Sequence, residues 1–188
     1  MTVDILLLGN PLLWQNSSSV FDFKSGDFVD KVRLLKRTLD EFRWENGFGR
    51  GIAAPQIGIS QSIIALNLGE SSFVLVNPVI TGHSVGKFSM WDDCMSFPHL
   101  MIRLERYRSI DLKYQDDKGI EHAWNGLGRD ESELVQHEVD HLNGILAIDR
   151  AIDSRSIIYR SEYEKNRKYF DEFVEYSIPK TIKRPDVQ

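Results

Sequence analysis

The segment QHEVDHLNG, residues 136–144, carries His137, Glu138 and His141 in the pattern H-E-x-x-H. On a helix, residues four apart lie on one face, one turn from each other, so the two imidazoles can grip one ion. Glu138 sits beside them, placed to bind the water of that ion rather than the ion itself. The ion would lower the pKa of the water and the carboxylate would take its proton. Asp140 projects from another side of the helix, either to support a neighbour or to meet solvent. The same letters also occur on solvated helices. Two imidazoles are too few for a catalytic metal, so the third ligand decides the chemistry.

Three sources of that ligand are open. A third His downstream would complete H-E-x-x-H-x-x-G-x-x-H, and HEVDHLNGILA supplies Gly144, but Ala147 stands at the last position and cannot ligate. A glutamate further on, Glu162 or Glu164, would make a metallopeptidase-like His₂Glu site. Cys94, the single thiol of the chain, would make a thiolate–imidazole set that leaves a coordination position open. A lone cysteine is also commonly a small buried hydrophobe.

The elements that must position these groups follow from the pattern of the chain. From Asp27 to Trp44, Phe28, Val32, Leu35, Leu39 and Phe42 recur at helical spacing, and Asn46 and Gly47 provide the stop. Residues 62–68, 73–80, 108–116 and 120–125 are short, β-branched and punctuated by Gly, Pro, Asn and Asp, which predicts strands. Asp117-Lys118-Gly119 joins the last two as a hairpin. The motif helix follows, with Asp130 as cap, Glu133 reaching back, and an end near Gly144. RLERYR, 103–108, is expected as a solvated strand edge. The expectation is an α+β fold: antiparallel β-sheets packed around a central metal-binding helix, with an N-terminal helix. The chain is expected to be a single domain, 1–188, with 151–188 a C-terminal extension. That tract is helix-compatible but weakly patterned, and Pro179 and Pro185 suggest a loose end.

The 188 residues suffice for one domain with a substantial core. The net charge of −5, with signs interspersed, shows no basic stripe for nucleic acid and no polybasic cluster for anionic lipid. No apolar run approaches the roughly 20 residues that span a bilayer. The N-terminus has neither the basic start nor the small-residue cleavage site of a signal peptide. One cysteine excludes an internal disulfide. A cytoplasmic protein is expected.

Three segments, in order, resemble the motifs of the peptide deformylase family. GRGIAAPQIG (49–58) is similar to G-φ-G-φ-A-A-x-Q, with φ apolar; DDCMS (92–96) to E-G-C-φ-S; QHEVDHL (136–142) to Q-H-E-x-D-H-L at every specified position. The resemblance covers roughly residues 4 to 150. It implies hydrolysis of the N-terminal formyl group of N-formylmethionyl peptides or nascent chains, releasing formate, with transient ribosome proximity. It implies Cys94, His137 and His141 as ligands of one divalent ion, Fe²⁺ in the cell and replaceable by Zn²⁺, Ni²⁺ or Co²⁺. Glu138 would be the general acid and base. Gln56 and the backbone N–H of Met95 would donate to the carbonyl oxygen as charge develops. Gly49, Gly51 and Ile52 would line the groove for an extended peptide.

Four departures bear on specificity and rate. Arg50 interrupts the glycine segment, and RDESEL precedes His137 where bacterial members are mostly apolar. These alter the methionine pocket that the resemblance implies. Asp92 shortens a glutamate, and Asp93 replaces a glycine beside the cysteine, adding charge. A peptide-binding protein of the same fold with weak or lost turnover is the rival reading.

Overall fold

A computed structural model describes residues 3–178. α1 (Gly26–Asn46) starts where the Ser25 hydroxyl accepts from the Phe28 N–H and stops at Gly47, whose φ of 74° few other residues adopt. Its buried face is Phe28, Val32, Leu35 and Leu39, as the spacing predicts. That face packs on a five-stranded antiparallel sheet ordered β1-β2-β3-β6-β7. The strands are β1 (Gly51–Ala53), β2 (Ile63–Leu66), β3 (Phe73–His83), β6 (Ile110–Gln115) and β7 (Glu121–Trp124). Among the described residues β1 pairs only with β2, which leaves it at the edge of the sheet.

The second sheet is three-stranded, β4-β5-β8, with β4 (Lys87–Asp92), β5 (Leu100–Tyr107) and β8 (Ile157–Tyr159). Here the structure corrects the sequence reading. RLERYR is no solvated edge: it belongs to the central strand, and Arg106 is only 3% exposed. The reason is an ion-pair network that a strand pattern does not reveal.

α2 (Arg129–Leu142) carries the motif and packs against β1, β2 and β5. Its cap also differs from expectation. Gly128 is the N-cap, Asp130 lies inside the first turn, and Glu133 turns to Arg50 instead of back to the helix start. The helix is mostly polar yet buried from Ser132 to His141 except at Val139. It tolerates burial because most of its polar groups are matched, Glu138 Oε2 and His141 Nδ1 being the exceptions among the described residues. The Ser132 hydroxyl and the Gln136 amide donate to the Tyr107 carbonyl at 2.9 and 3.1 Å, and the Tyr107 N–H donates back to Gln136 at 3.0 Å. These bonds set the rotation of α2 against β5, and therefore where His137 and His141 point.

After the motif helix, β8 joins the second sheet, and two short helices, α3 (Arg160–Lys165) and α4 (Arg167–Asp171), pack Tyr163 and Phe170 on Trp91. Residues 175–176 then lie along β4: the Glu175 N–H donates to the Ser89 carbonyl at 3.1 Å, and Tyr176 bridges Met90 in parallel. Pro179 and Pro185 lie outside the described residues. No helix among the described residues is long and apolar enough to cross a membrane.

Candidate metal centre

α2 supplies His137 and His141 from one face, and the segment after β4 supplies Cys94. One ligand atom from each falls within 4.8 Å of the others, and all three residues are buried. Cys94 Sγ stands 3.3 Å from His141 Nε2. Glu162 and Glu164 are not in this cluster; Glu164 lines the cavity rim and Glu162 pairs with Lys165 at the surface. The position offered by Cys94 is the one the fold fills.

The shorter carboxylate of the second motif still reaches a histidine of the third. Asp92 Oδ2 lies 2.9 Å from His137 Nδ1, which turns Nε2 towards the cluster. Arg106 donates to the same Asp92 oxygen at 3.3 Å and also binds Asp140, which Arg150 holds from outside at 2.6 and 3.0 Å. Asp140, one of the motif letters, is therefore the anchor of a buried chain of charges. Burial would raise the Asp92 carboxyl, but His137 and Arg106 hold it down at about 2. Burial disfavours a charged imidazole at His137, yet Asp92 outweighs it and raises His137. Burial and the neighbouring His137 together push His141 down, which keeps it neutral and able to ligate.

Glu138 lies 3% exposed, and its Oε2 is buried without a partner among the described residues. Burial pushes its carboxyl up to about 7, where it can both take and give a proton near neutrality. Gly51 is required here: a Cβ at that position would lie 2.6 Å from Glu138 Oε1. Gly49 has φ +102°, and a Cβ there would run into the Met95 side chain. Gln56 is held by its Oε1, which accepts from the Ala53 N–H at 2.8 Å; its Nε2 faces Cys94 Sγ at 3.6 Å and Ser96 Oγ at 3.2 Å.

Gln56, Asp92, Cys94, His137 and Glu138 line one cavity of about 370 Å³, together with Gly49, Arg50, Gly51 and Met95. Ile52 does not line it. That side chain is fully buried in the core beneath α1, because β1 alternates its faces and turns Ile52 inward. His99 is exposed away from the cavity, while Trp91 lines it and Phe97 is core.

Asp93 is not an uncompensated charge. Arg160 donates to it at 2.9 Å while also binding the Pro98 carbonyl at 2.7 Å. Arg50 binds Glu133 and, at 3.0 Å, the Asp130 carbonyl. Burial pushes Glu133 up to about 7 although Arg50 pulls against it. Neither Arg160 nor Arg106 had a local signal in the sequence; each reaches its partner across the fold.

The donor set fits a divalent ion. One thiolate and two imidazoles leave a coordination position free, and the orphaned Glu138 oxygen faces the same cavity, where a polar ligand group would satisfy it.

The comparisons with known proteins agree with this architecture. A profile described as polypeptide deformylase matches residues 2–156. The peptide deformylase of Thermotoga petrophila is 31% identical over 160 residues, covering 84% of this chain and 92% of the relative. That of Leptospira biflexa is 28% identical over 180 residues, covering 89% and 97%. Among solved structures, the Thermotoga maritima peptide deformylase superposes with a TM-score of 0.74 at 29% identity, covering 81% of this chain and 99% of that one. The Synechococcus elongatus peptide deformylase, solved in complex with actinonin, gives 0.72 at 28% identity, covering 82% and 81%. With the profile spanning most of its length, the chain belongs to the polypeptide deformylase family.

Proposed function

We propose that this chain removes the N-terminal formyl group from formylated peptides or nascent proteins by metal-dependent hydrolysis, yielding formate and a free amine. The observation that carries the reading is the cluster of Cys94, His137 and His141, with Cys94 and His137 lining one cavity together with the orphaned Glu138 carboxyl and Gln56. Cys94, His137 and His141 hold the ion; Fe²⁺ is the ion proposed, with Zn²⁺, Ni²⁺ or Co²⁺ able to substitute. When bound, it supplies Lewis-acid polarisation and lowers the pKa of water.

The chain's own groups do the rest. Glu138 takes a proton from the attacking water and passes it to the leaving nitrogen. The Gln56 amide and the Met95 backbone N–H donate to the formyl oxygen as it gains charge, a service that costs little reorganisation because Gln56 is already tied to Ala53. Asp92 keeps the His137 tautomer that presents Nε2. Gly49 and Gly51 let the substrate backbone approach. The atoms balance: water adds to the formyl carbon, the C–N bond breaks, and formate departs. We take residues 1–188 as one deformylase-like domain, with Arg160, Tyr163 and Arg167 of the C-terminal segment contributing to the cavity wall, acting in the cytoplasm and transiently near the ribosome.

Formate release from formyl-Met-Ala-Ser by anaerobically Fe²⁺-loaded protein tests the reading. Turnover that disappears on chelation is expected. Retained peptide binding without any formate would make the chain a binding protein instead.

A further inference from the structure

We propose that the outer edge of β8 is a docking strand for the extended chain that follows the formylated residue, so that long formylated chains are the preferred substrates. The inference rests on the deformylase reading of the cavity and adds the substrate class. Among the described residues, the two sheets end in four edge strands, β1, β7, β4 and β8. β1 carries Gly51 into the cavity wall. β7 exposes Glu121 and His122, polar side chains of the kind that discourage pairing. β4 is covered by Glu175 and Tyr176. β8 has neither defence: no described segment pairs with its outer side, and Ile157 and Tyr159 are 41% and 65% exposed. An open apolar edge invites an added strand.

The register shows what that edge offers. β8 runs antiparallel to β5, with Ile158 opposite Met101. The Arg103 N–H donates to the Ser156 carbonyl and the Arg160 N–H to the His99 carbonyl, both at 2.7 Å. Backbone direction alternates along a strand, so residues 156, 158 and 160 face β5 while Ile157 and Tyr159 point outward. The Tyr159 carbonyl belongs to the N-cap of α3. The Ile157 N–H and C=O and the Tyr159 N–H are left for a partner. The edge is continuous with the cavity. Arg160, the next residue, lines it and binds Asp93 beside Cys94, and Met101 lines it from across the ladder. A chain leaving past Arg160 meets the Tyr159 end of β8 first and runs on towards Ile157, antiparallel to β8. Main-chain bonds of this kind tolerate any sequence, which suits a substrate defined only by its formylated end. An extended tripeptide spans about 10 Å and a nine-residue chain about 30 Å, so the short peptide serves as internal reference.

The test compares kcat and KM for formyl-Met-Ala-Ser and formyl-Met-Ala-Ser-Thr-Val-Thr-Val-Thr-Ser on the Fe²⁺-loaded parent, Tyr159→Pro and Tyr159→Ala. Proline fits the φ of −69° at position 159 and removes only an outward N–H, while alanine keeps that N–H and loses the ring. A third peptide is the long one with its backbone methylated on nitrogen from the fourth residue onward. In the parent the long peptide should have a KM at least fivefold lower than the tripeptide at similar kcat. Methylation and Tyr159→Pro should each abolish that gain, and Tyr159→Ala should keep most of it. Equal KM for short and long peptides in the parent overturns the proposal, as does a gain that survives both methylation and a folded Tyr159→Pro. If the proline variant does not fold, the methylated peptide decides. Equal KM together with self-association of the parent that Tyr159→Pro removes would give the edge to a second copy and sink this inference alone. No formate from any peptide sinks the functional reading with it.

Discussion

On one side of the cavity, His137 is backed by a chain of further groups: Asp92 stands behind His137, Arg106 behind Asp92, and Asp140 and Arg150 behind Arg106. On the other side, Arg50 meets Glu133 across 83 residues, and Asp93 meets Arg160 across 67, with no further ion pair behind either among the described residues. The first side fixes the geometry of a cluster that could hold an ion. The second matches charges at a surface that a substrate must displace or use. A family can alter the second side without losing the first, since pairs at a cavity wall are coupled to few other contacts. Changes on the first side propagate through a buried chain in which every member depends on the next.

The sharpest way to break this contrast is at a ligand. Cys94→Ser should lose stoichiometric metal and all detectable turnover, whereas Glu162→Ala/Glu164→Ala should keep both, read by metal analysis of the purified proteins. Metal retained in the first and lost in the second would move the third ligand to the C-terminal segment.

Next in size is the proton carrier. Glu138→Gln should keep its metal and lose about 10²–10⁴-fold in kcat, the range typical of general acid–base catalysis. A variant within a few-fold of the parent would place the base elsewhere.

The backing layer should show as stability. Arg106→Met leaves Asp92 and Asp140 buried with less compensation, and breaking such a pair costs about 3–5 kcal/mol. Urea unfolding measures it, and a loss under about 1 kcal/mol would show that the network is dispensable.

On the substrate wall, pH is the lever. The Glu133 carboxyl lies at about 7 in the folded chain against an ordinary 4.5. The folded state therefore keeps a proton that the unfolded chain releases across that window. The resulting stabilisation is complete below about 4.5 and is lost as pH rises through about 7. At most it amounts to about 3 kcal/mol, because each tenfold difference in proton affinity between the two states is worth about 1.4 kcal/mol. Glu133→Gln should flatten the fall of the urea midpoint between those limits. Parallel curves for parent and variant would show that Glu133 titrates normally.

The smallest effect belongs to Arg160. Its pair with Asp93 is partly exposed, so Arg160→Ala should change stability by only about 0–1 kcal/mol. Turnover should fall modestly, because Asp93 then stands uncompensated beside Cys94. An effect as large as that of Arg106→Met would erase the distinction between the two sides.

Much of this molecule is legible from spacing. The face of α1, the four predicted strands and the pairing of His137 with His141 follow from periods of 3.6 and 2, and the hairpin at Asp117-Lys118-Gly119 from its turn residues, all properties of neighbouring residues. Strands β1, β4 and β8 are not legible in this way, and β5 is legible in part as a strand but not as a central, buried one. β1 and β8 are only three residues long, and β4 and β5 carry charged residues in a pattern that reads as exposed. The motif helix is legible in place but not in its capping, because Glu133 has a better partner in Arg50 than in its own helix start.

The information carried by the chain alone is therefore local and chemical: which residue types stand at which spacing, a helix that puts two imidazoles on one face, and three motif segments that mark the family. Folding decided everything that depends on distant segments meeting. It brought Cys94 to the histidines, buried Arg106 between Asp92 and Asp140, turned Ile52 into the core while leaving Gly51 against Glu138, and closed Asp93 with Arg160. A charge or a thiol has no period, and its energy depends on what lies within a few ångströms in space. Those partners are chosen by the packing of two sheets around one helix.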